Sequence, residues 1–514
     1  MIIINSSQQD SMKIFRPFSR INVPIGLGYL LSVLEREMLK VRFIDEQIAD
    51  NTFALVAGYI KEIRPPYIFG FSVVTAAIKR SIIISKRLKE LYPDSIVIFG
   101  GVHPTAVPEE VLTYKHVDIV LRGEAEVTLP ELYRCLKGRD EFSHIDGISF
   151  RQDGRIVHNN TAPVVQDLDS LPPFPYHLFS SEKYDLGAIV SSRGCPYQCI
   201  FCSNRIITKM GYRYRSAESI VDEINLLYHK YNRRHILFMD DNLVVNKKRL
   251  YILLDRVMTE GLNEKMEFTF QARGDNVDHK LLCDLYRAGF RNITFGLETA
   301  SERLMKIIKK GETVEQCIEA VRMAKLIGFH VSATFIYGLP TETHEDRMSC
   351  IKLSKELKLD MPRFNNATPY PGTMLYKIAK NENGLNIVGL YENFNSVSAM
   401  IENPFKKIPF SYVPVGSSEE EIRNDILFSH LLIYLDIRKI RMMFSKRGAT
   451  KRWFNPGNKL RDKFQKAPAL FCFAIFLAIK FSSLLFDILL KRNTSISIAE
   501  FIIILTGRWR RLNS

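Results

Sequence analysis

Two series of apolar runs that alternate with amphipathic helical patterns place the strongest constraint on the fold of this 514-residue chain. The first series predicts strands at 1–5, 41–45, 67–72, 95–100 and 118–121, with helices at 26–40, 76–91 and 127–137. The second predicts strands at 187–191, 235–240, 267–272, 292–297, 330–337 and 363–368, with helices at 217–230, 247–260, 278–288 and 314–326. Strands that alternate with helices of this length form parallel sheets. We therefore expect an α/β protein whose first 140 residues form a doubly wound parallel sheet.

Three of the eight cysteines, Cys195, Cys199 and Cys202, form a CxxxCxxC motif, and the other five are scattered. Iron–sulfur clusters are usually held by four thiolates, so a triplet leaves one iron open to a small molecule. Alternatively, the CxxC pair alone could be a redox dithiol or half of a zinc site. A closed zinc site needs four ligands, and the chain has no second CxxC and no paired-histidine motif. The scattered cysteines are not a disulfide framework, and an oxygen-labile cluster favours the reducing cytoplasm.

The cysteine triplet, with Phe201 inside its last spacer, resembles the signature of the radical S-adenosylmethionine (radical SAM) enzymes. The resemblance implies a 4Fe–4S cluster whose open iron chelates S-adenosylmethionine (SAM). One-electron reduction then cleaves SAM to a 5′-deoxyadenosyl radical, which is chemistry of the cofactor more than of the protein. It also implies that the second series folds into a partial (β/α)6 barrel, with the chemistry at the carboxyl ends of the strands.

Polar residues and glycines follow the predicted strands of this second series. Asp240 and Asp241 stand where the family binds the SAM amino group, and a carboxylate suits an ammonium ion. The family's usual Gly-Gly-Glu is not present, and a helix cap is the alternative reading. The planar fork of Arg273 suits the SAM carboxylate, with a surface ion pair as the alternative. The resemblance to the family's GxExxS and GxPxE segments implies that Glu298 binds the ribose hydroxyls and that Gly338 lies near the adenine.

The order of short motifs in the first series narrows the resemblance to one subgroup. The segments 24–28, 70–73, 99–105 and 122–126, with 369–373 after the second series, are similar to those of the cobalamin-dependent methylases and the anaerobic magnesium-protoporphyrin ester cyclase. The resemblance implies that cobalamin binds through Ser72, Gly100, Gly101, His103, Gly123 and Glu124. Some of these glycines could instead serve only as tight turns. The DxHxxG loop is absent, so no protein histidine, His103 included, is expected on cobalt.

These patterns divide the chain into a cobalamin-binding-like domain (1–140), a connector (141–183), a radical SAM barrel (184–400) and a helical, basic C-terminal module (401–514). The connector is predicted to contain a hairpin at 148–157 that turns at Asp153-Gly154. An extended, proline-rich linker follows at 171–176. The N-terminus has no basic region or cleavage site, so it predicts a first strand and not a secretory signal.

The basic charge is concentrated in the C-terminal module. Residues 437–514 hold 17 Lys and Arg against 3 acidic residues, a local +14 of the chain's +15. A helix is predicted at 419–434. The apolar run 467–490 is interrupted by Lys480 and Asp487, which disfavours a spanning helix. We expect it to lie at a membrane interface or to fold against the body. Basic residues with Trp453 and Trp509 suit an anionic leaflet, whereas nucleic acid is favoured by charge alone and is not expected.

The resemblance predicts an enzyme that transfers a methyl group, with cobalamin, to an unactivated carbon of a small-molecule or lipid-like substrate. Flavodoxin or ferredoxin is the expected reductant, in the cytoplasm or at the inner membrane face. The alternatives are a cobalamin-independent or oxidative-cyclase-type radical SAM enzyme and a non-catalytic scaffold that binds cluster and cobalamin. A tRNA methylthiotransferase would need three further N-terminal cysteines, where only Cys135 lies. Auxiliary clusters would need a cysteine group after Cys350, where only Cys472 lies.

Overall fold

The computed structural model of the chain describes residues 1–7, 21–49, 51–180, 182–209, 211–395, 407–434, 460–492, 494–499 and 501–502. Its strands are β1 (Ile2–Asn5), β2 (Ile21–Asn22), β3 (Arg42–Asp45), β4 (Ile68–Ser72), β5 (Ile96–Gly100), β6 (Ile119–Leu121), β7 (Ile148–Gln152), β8 (Arg155–His158), β9 (Tyr184–Asp185), β10 (Ala188–Ile189), β11 (Ser192–Arg193), β12 (Arg213–Tyr214), β13 (His235–Phe238), β14 (Glu267–Ala272), β15 (Phe290–Glu298), β16 (His330–Tyr337) and β17 (Met361–Asn366).

The α-helices surround these strands. Each predicted helix is present within a few residues of its predicted bounds, and the structure adds helices that were not predicted, such as Thr52–Ile60 and His344–Glu356. They cover Ile25–Arg36, Thr52–Ile60, Ile78–Leu91, Val102–Ala106, Pro108–Leu112, Thr128–Gly138, Asn204–Thr208, Ala217–His229, Lys247–Thr259, Leu262–Lys265, His279–Arg287, Glu302–Ile307, Val314–Ile327, His344–Glu356, Met374–Asn381, Glu419–Tyr434 and Leu460–Leu490.

The first sheet has the strand order β3-β1-β4-β5-β6-β7-β8. Its first five strands are parallel, so the predicted doubly wound sheet is confirmed. β1 is paired with β3 on one side and with β4 on the other, so the strand order reverses between β1 and β4. Ligands of doubly wound sheets bind at this kind of reversal, outside the carboxyl ends of the strands.

The predicted connector hairpin is present and extends the first sheet. β7 pairs antiparallel with β6, and β8 pairs antiparallel with β7. Asp153 and Gly154 both have positive φ, of 47° and 76°, as expected for a two-residue hairpin turn. This part of the predicted connector therefore belongs to the sheet of the first domain.

The second sheet contains six parallel strands in the order β10-β13-β14-β15-β16-β17. Helices follow the strands in sequence, so the predicted partial (β/α)6 arrangement is confirmed. The sheet is open, because β10 and β17 pair with each other nowhere in the described residues. Its core is aromatic, with Phe238, Phe268, Phe290, Phe335 and Phe364 fully buried. A short antiparallel ribbon, β11 with β12, flanks the cysteine motif.

The C-terminal helices pack onto the second sheet. The helix Glu419–Tyr434 was predicted with the same bounds, and it lies against β17 and the helix His344–Glu356. Leu484 and Ile488 of the helix Leu460–Leu490 are buried in the same cluster. The structure therefore places Glu419–Tyr434 with the second sheet and not in a separate module. Within the described ranges, none of the helices combines the length and apolarity needed to cross a bilayer. Trp453 and Trp509 lie outside the described residues.

Candidate functional site

A cavity of about 570 Å³ lies between the carboxyl ends of the first sheet and the cysteine loop. Its wall on the first domain includes Asn5, Ser72, Gly100, Gly101, Gly123 and Glu124. Its wall on the second domain includes Ser192, Arg193, Gly194, Asn204 and Asp241. The cavity thus opens at the strand reversal of the first sheet and reaches the start of the cysteine loop, so two cofactor sites could share it.

The predicted cobalamin-binding glycines keep the first wall close to the backbone. Gly101 has φ +103°, and a Cβ there would lie 2.8 Å from Val73 O. Thr105 Oγ1 donates to Gly101 O at 2.7 Å and accepts from Gly123 N at 3.0 Å. One threonine therefore ties together two of the loops that line the cavity. Five of the six predicted cobalamin-domain residues line the cavity: Ser72, Gly100, Gly101, Gly123 and Glu124.

His103 is the exception among these predicted residues. Its side chain is buried, with Nδ1 3.3 Å from Thr75 Oγ1 and its ring 5.0 Å from the ring of Tyr391. Burial lowers the pKa of His103 to about 4. It is not among the residues that line the cavity, and no histidine of the described chain is. The structure therefore corrects His103 as a cavity residue, because its ring is buried against Thr75 and Tyr391.

The backbone conformation of the cysteine loop depends on Gly194 and on two hydrogen bonds to residues distant in sequence. Gly194 has φ +92°, and a Cβ there would lie 1.7 Å from Gly211 O. Ile200 N donates to Ile308 O at 3.0 Å, and Leu375 N donates to Ile200 O at 2.9 Å. The loop between Cys199 and Cys202 is therefore fixed from both sides.

The three thiols share an environment that disfavours their ionisation without a metal. Burial raises the pKa of Cys195, Cys199 and Cys202, that of Cys202 to about 11. The neighbouring thiols add to this rise, because like charges so close together repel. A bound cation removes both penalties, since thiolates are the ligands of iron–sulfur clusters. The donor set therefore fits a cluster. Phe201 is half-buried and packs against the hydrophobic core.

Asp240 and Asp241 have different roles in the structure. Asp240 is fully buried and accepts from Ser191 N at 3.2 Å, from Ser191 Oγ at 2.8 Å and from Ser192 Oγ. Asp241 is exposed to the cavity, where it accepts from Asn204 Nδ2 at 2.5 Å and from the Gly194 N–H. Asp240 thus supports the segment that enters the cysteine loop, and Asp241 is the carboxylate that a ligand can reach.

Arg273 is buried and already holds partners on two sides. Its Nε and Nη2 each donate to the Asp275 carboxylate at 2.9 Å, and its Nη1 donates to Lys310 O at 2.6 Å. The guanidinium carbon lies 3.6 Å from the ring centroid of Tyr197, which is inside the cysteine motif. The expected fork for a SAM carboxylate is therefore occupied by Asp275. In the described structure the Arg273 guanidinium pairs with Asp275 and stacks on the Tyr197 ring.

Glu298 lies at an irregularity in the strand and is paired with a buried lysine. It has φ +60°, and the register between β15 and β16 shifts between Gly296 and Glu298. Its Oε1 is 3.1 Å from Lys310 Nζ, and Lys310 Nζ is also 3.5 Å from Glu312 Oε1. A Cβ at Gly296 would lie 2.4 Å from Glu298 Oε1, so glycine makes room for this pair. Positive φ at a non-glycine residue marks a site that the surroundings hold in a strained form.

Gly338 faces the C-terminal helix and not the cavity. It has φ +83°, and the atom nearest to a Cβ there would be Ile422 Cδ1 at 3.5 Å. Its N–H donates to Glu342 Oε2 at 2.5 Å. Burial raises the pKa of Glu342 to about 8, although Arg347 opposes this rise. The turn after β16 therefore connects to a buried polar cluster under the helix Glu419–Tyr434.

Sequence reasoning missed several residues that the structure brings to the site. Tyr197 and Arg193 lie in and beside the cysteine motif, and proximity to the motif was a usable signal for both. Lys310 and Arg213 had no such signal, because their partners Glu298 and Glu124 are 12 and 89 residues away. Their roles depend on contacts that only the fold creates.

Comparison with known families supports both parts of the site. Residues 17–133 match the model of the B12 binding domain, and residues 189–353 match the model of the radical SAM superfamily. The first match covers β3, β4, β5 and β6 of the first sheet but not β1. The second covers the cysteine loop and β13 to β16 of the second sheet but not β17.

Curated relatives are similar to this chain over about two thirds of its length. The chain is 35% identical over 364 residues to the uncharacterized methyltransferase PH0819 of Pyrococcus horikoshii, covering 69% of this chain and 78% of that protein. It is 27% identical over 373 residues to the anaerobic magnesium-protoporphyrin IX monomethyl ester cyclase of Cereibacter sphaeroides, covering 69% of this chain and 60% of the cyclase.

Solved structures show the same fold at low sequence identity. The cobalamin-dependent SAM radical enzyme OxsB, with aqua-cobalamin and SAM bound, superposes with a TM-score of 0.69 at 19% identity over 100% of this chain and 75% of OxsB. The radical SAM methyltransferase TsrM of Kitasatospora setae, with cobalamin and a 4Fe–4S cluster bound, gives a TM-score of 0.61 at 18% identity over 75% of this chain and 76% of TsrM.

The fold and the cysteine loop together define a radical SAM enzyme. The chain belongs to the radical SAM family whose members carry an N-terminal cobalamin-binding domain, as the resemblance in sequence predicted.

Proposed function

We propose that the protein uses a 4Fe–4S cluster, SAM and cobalamin to transfer a methyl group to an unactivated carbon of a small-molecule substrate. The single observation that carries the proposal is the cavity that joins the strand reversal of the first sheet to the cysteine loop. A methyl group can pass between two cofactors only where both reach the same space. The methyltransferases among the relatives, PH0819 included, support the same reaction class.

The residues of the chain divide the work between the two walls. Cys195, Cys199 and Cys202 would hold the cluster, and Asp241 would accept a hydrogen bond from the SAM ammonium group. Gly100, Gly101 and Gly123 would let the corrin approach the backbone. When bound, the cluster with SAM supplies a radical that abstracts hydrogen, and cobalamin supplies the methyl group. Glu298, held by Lys310, is the proposed partner of the ribose hydroxyls.

A second reaction class shares the same scaffold. The cyclase relative shows that membership of the family does not fix the reaction. An oxidative ring closure would use the cluster and SAM but would leave no new methyl group on the product. The two reactions therefore differ in an outcome that mass spectrometry reads directly.

The test is anaerobic reconstitution of the full chain with iron, sulfide and hydroxocobalamin. The protein is incubated with SAM labelled in its methyl group, a flavodoxin or dithionite as reductant, and a fractionated cell extract. We expect 5′-deoxyadenosine together with an extract component that gains the labelled methyl group. Cys199→Ala serves as the control that should give neither. Release of 5′-deoxyadenosine with product two hydrogens lighter and no label would support the cyclase class instead.

We propose further that the enzyme rests on an anionic lipid surface through the helix Leu460–Leu490. One face of this helix packs on the body through Leu484 and Ile488. The opposite face exposes apolar side chains, with Phe471 and Ile475 one turn apart and Phe486 three turns further along the helix. An apolar face in water indicates an interaction surface. The basic residues of 437–514, a net +14 from 17 cations and 3 acidic residues, complement anionic headgroups.

Vesicle sedimentation tests this surface. Phosphatidylglycerol vesicles should sediment the protein and phosphatidylcholine vesicles should not, with binding reduced by salt because screening weakens the attraction. The double substitution Phe486→Asp and Leu489→Asp should abolish sedimentation. Leu326→Asp, which changes another exposed leucine on the helix Val314–Ile327, is the matched control. Self-association of the protein in place of vesicle binding would overturn the proposal.

A further inference from the structure

Two arginines at the neck of the cysteine loop meet two glutamates of the first domain. Arg193 of β11 and Arg213 of β12 lie directly opposite each other in the antiparallel ribbon. Arg193 is two residues before Cys195, so the ribbon closes the base of the loop. Glu124 and Glu126 belong to the loop that follows β6 of the first sheet.

The four side chains form a buried, forked ion-pair cluster. Arg213 Nη1 donates to Glu124 Oε2 at 2.9 Å, and Arg213 Nη2 donates to Glu124 Oε1. Arg193 Nη1 lies 2.7 Å from Glu126 Oε1 and 3.5 Å from Glu124 Oε2. The side chains of Glu124, Glu126 and Arg213 are each less than a tenth exposed. Two parallel bonds from one guanidinium fix orientation as well as distance.

This cluster is connected by short steps to both walls of the cavity. On the first domain, Gly123 precedes Glu124, and its N–H bonds to Thr105, which bonds to Gly101. On the second domain, Arg193 leads through Gly194 into the cysteine motif. Burial of a rigid charged contact is costly unless every group is paired, and here the two positive and two negative charges balance.

We infer that the ion pairs formed by Arg193, Arg213, Glu124 and Glu126 set the distance and angle between the bound cobalamin and the 4Fe–4S cluster. These four are therefore positioning residues for methyl transfer. The inference rests on the proposed function, because it needs both cofactors in the cavity. Reactions between two bound groups depend steeply on their separation and orientation. This ion-pair cluster lies between the two binding loops, so it is placed to hold them in a fixed relation to each other.

The test measures the geometry directly in the full-length, reconstituted protein. Cob(II)alamin and the reduced cluster are both paramagnetic, and their dipolar coupling falls with the cube of the distance between them. Glu124→Gln removes one charge, keeps the side-chain shape and leaves Arg213 without its forked partner. We expect this variant to retain iron, and in the molecules that carry cobalamin we expect a weaker and broader coupling in the electron paramagnetic resonance spectrum.

A matched control and a milder variant complete the design. Asp360→Asn alters a mostly buried carboxylate that pairs with Lys325 at 2.7 Å, away from the seam between the domains. Its coupling should equal that of the wild type. Glu126→Gln removes only the Arg193 pair and should show a smaller change, and this variant decides the question if Glu124→Gln does not fold. Wild-type coupling in both variants would overturn the inference that these ion pairs set the geometry of the two cofactors. Wild-type protein that binds no cobalamin would instead overturn the proposed function.

Discussion

The two parallel sheets of the molecule end in different ways at their carboxyl edges. In the first sheet β4 and β5 end in small residues, Ser72 and Gly100, and the loops beyond β5 and β6 add Gly101 and Gly123 to the cavity wall. In the second sheet, β14 and β15 end next to Arg273 and Glu298, whose charged groups are already paired with Asp275 and Lys310. The carboxyl edge of the first sheet therefore leaves space for a ligand, whereas that of the second sheet is fixed by ion pairs within the protein.

This difference teaches how to read a polar residue at a strand end. A glycine in the first sheet leaves space that a ligand can take. A charged residue in the second sheet is buried, and a buried charge needs a partner in the protein whether or not a ligand is present. The contacts of Arg273 with Asp275, and of Asp240 with Ser191 and Ser192, are therefore the expected result of burial. Asp241 remains exposed and is the better candidate for ligand contact.

The largest expected effect comes from the cysteine loop, where the two edges meet. Cys199→Ala removes one of three cluster ligands, so iron should be lost and SAM cleavage abolished. Iron content and 5′-deoxyadenosine release measure this. Cys283→Ala, at a half-buried cysteine in the helix His279–Arg287, is the control and should retain both. Full SAM cleavage by Cys199→Ala would show that Cys199 is not a cluster ligand.

The next effect tests the rigidity of the second edge. Lys310→Met leaves the carboxylates of Glu298 and Glu312 buried without their cation, which should lower the free energy of unfolding by about 3–5 kcal/mol. Lys247→Met breaks a half-exposed pair with Asp278 and should cost less than about 1 kcal/mol. Anaerobic urea unfolding compares the two variants. Equal losses would mean that the second edge is not a buried charge network.

A smaller effect should depend on pH at the end of β16. The pKa of Glu342 is raised from its ordinary 4.5 to about 8, so between these values the folded protein keeps a proton that the unfolded chain releases. The contribution of Glu342 to stability therefore falls as pH rises through this window. Glu342→Gln keeps the shape and cannot titrate, so its stability relative to wild type should rise from pH 5 to pH 8. A constant difference across this range would contradict the raised pKa.

The smallest effect probes the open space of the first edge. A Cβ at Gly26 meets no atom within 4 Å, and Gly26 lines the cavity. Gly26→Ala should therefore stabilise the protein by about 0.5–1 kcal/mol while weakening hydroxocobalamin binding by roughly tenfold. Gly58→Ala also has open space around its Cβ, in the helix Thr52–Ile60 away from the cavity. It should give the same stability gain with unchanged binding.

Much of the fold could be predicted because it depends on local pattern. Apolar runs and helical periodicity placed the predicted strands and helices of both sheets within a few residues, and the helix Glu419–Tyr434 was predicted with its observed bounds. The helices Thr52–Ile60 and His344–Glu356 were not predicted. What could not be predicted is which element packs on which. The hairpin β7–β8 joins the first sheet, and Glu419–Tyr434 joins the second, because their apolar faces match surfaces that are distant in sequence.

The candidate site follows the same division. The cysteine triplet and the glycines at the first edge could be predicted, because metal spacing and tight turns are properties of a few consecutive residues. The ends of β14, β15 and β16 could be located but their contacts could not. The partners of Arg273, Glu298 and Gly338 are set by burial and by three-dimensional neighbours, so a motif there shows where a side chain lies and not whether it is available.

The backbone anchors of Ile200 have a consequence for how the protein is made. Its two partners, Ile308 and Leu375, follow it by 108 and 175 residues. During synthesis the ribosome must therefore release most of the second sheet before the metal-binding segment can adopt its final shape. The backbone between Cys199 and Cys202 therefore reaches its final conformation only after residues more than 100 positions downstream have folded against it.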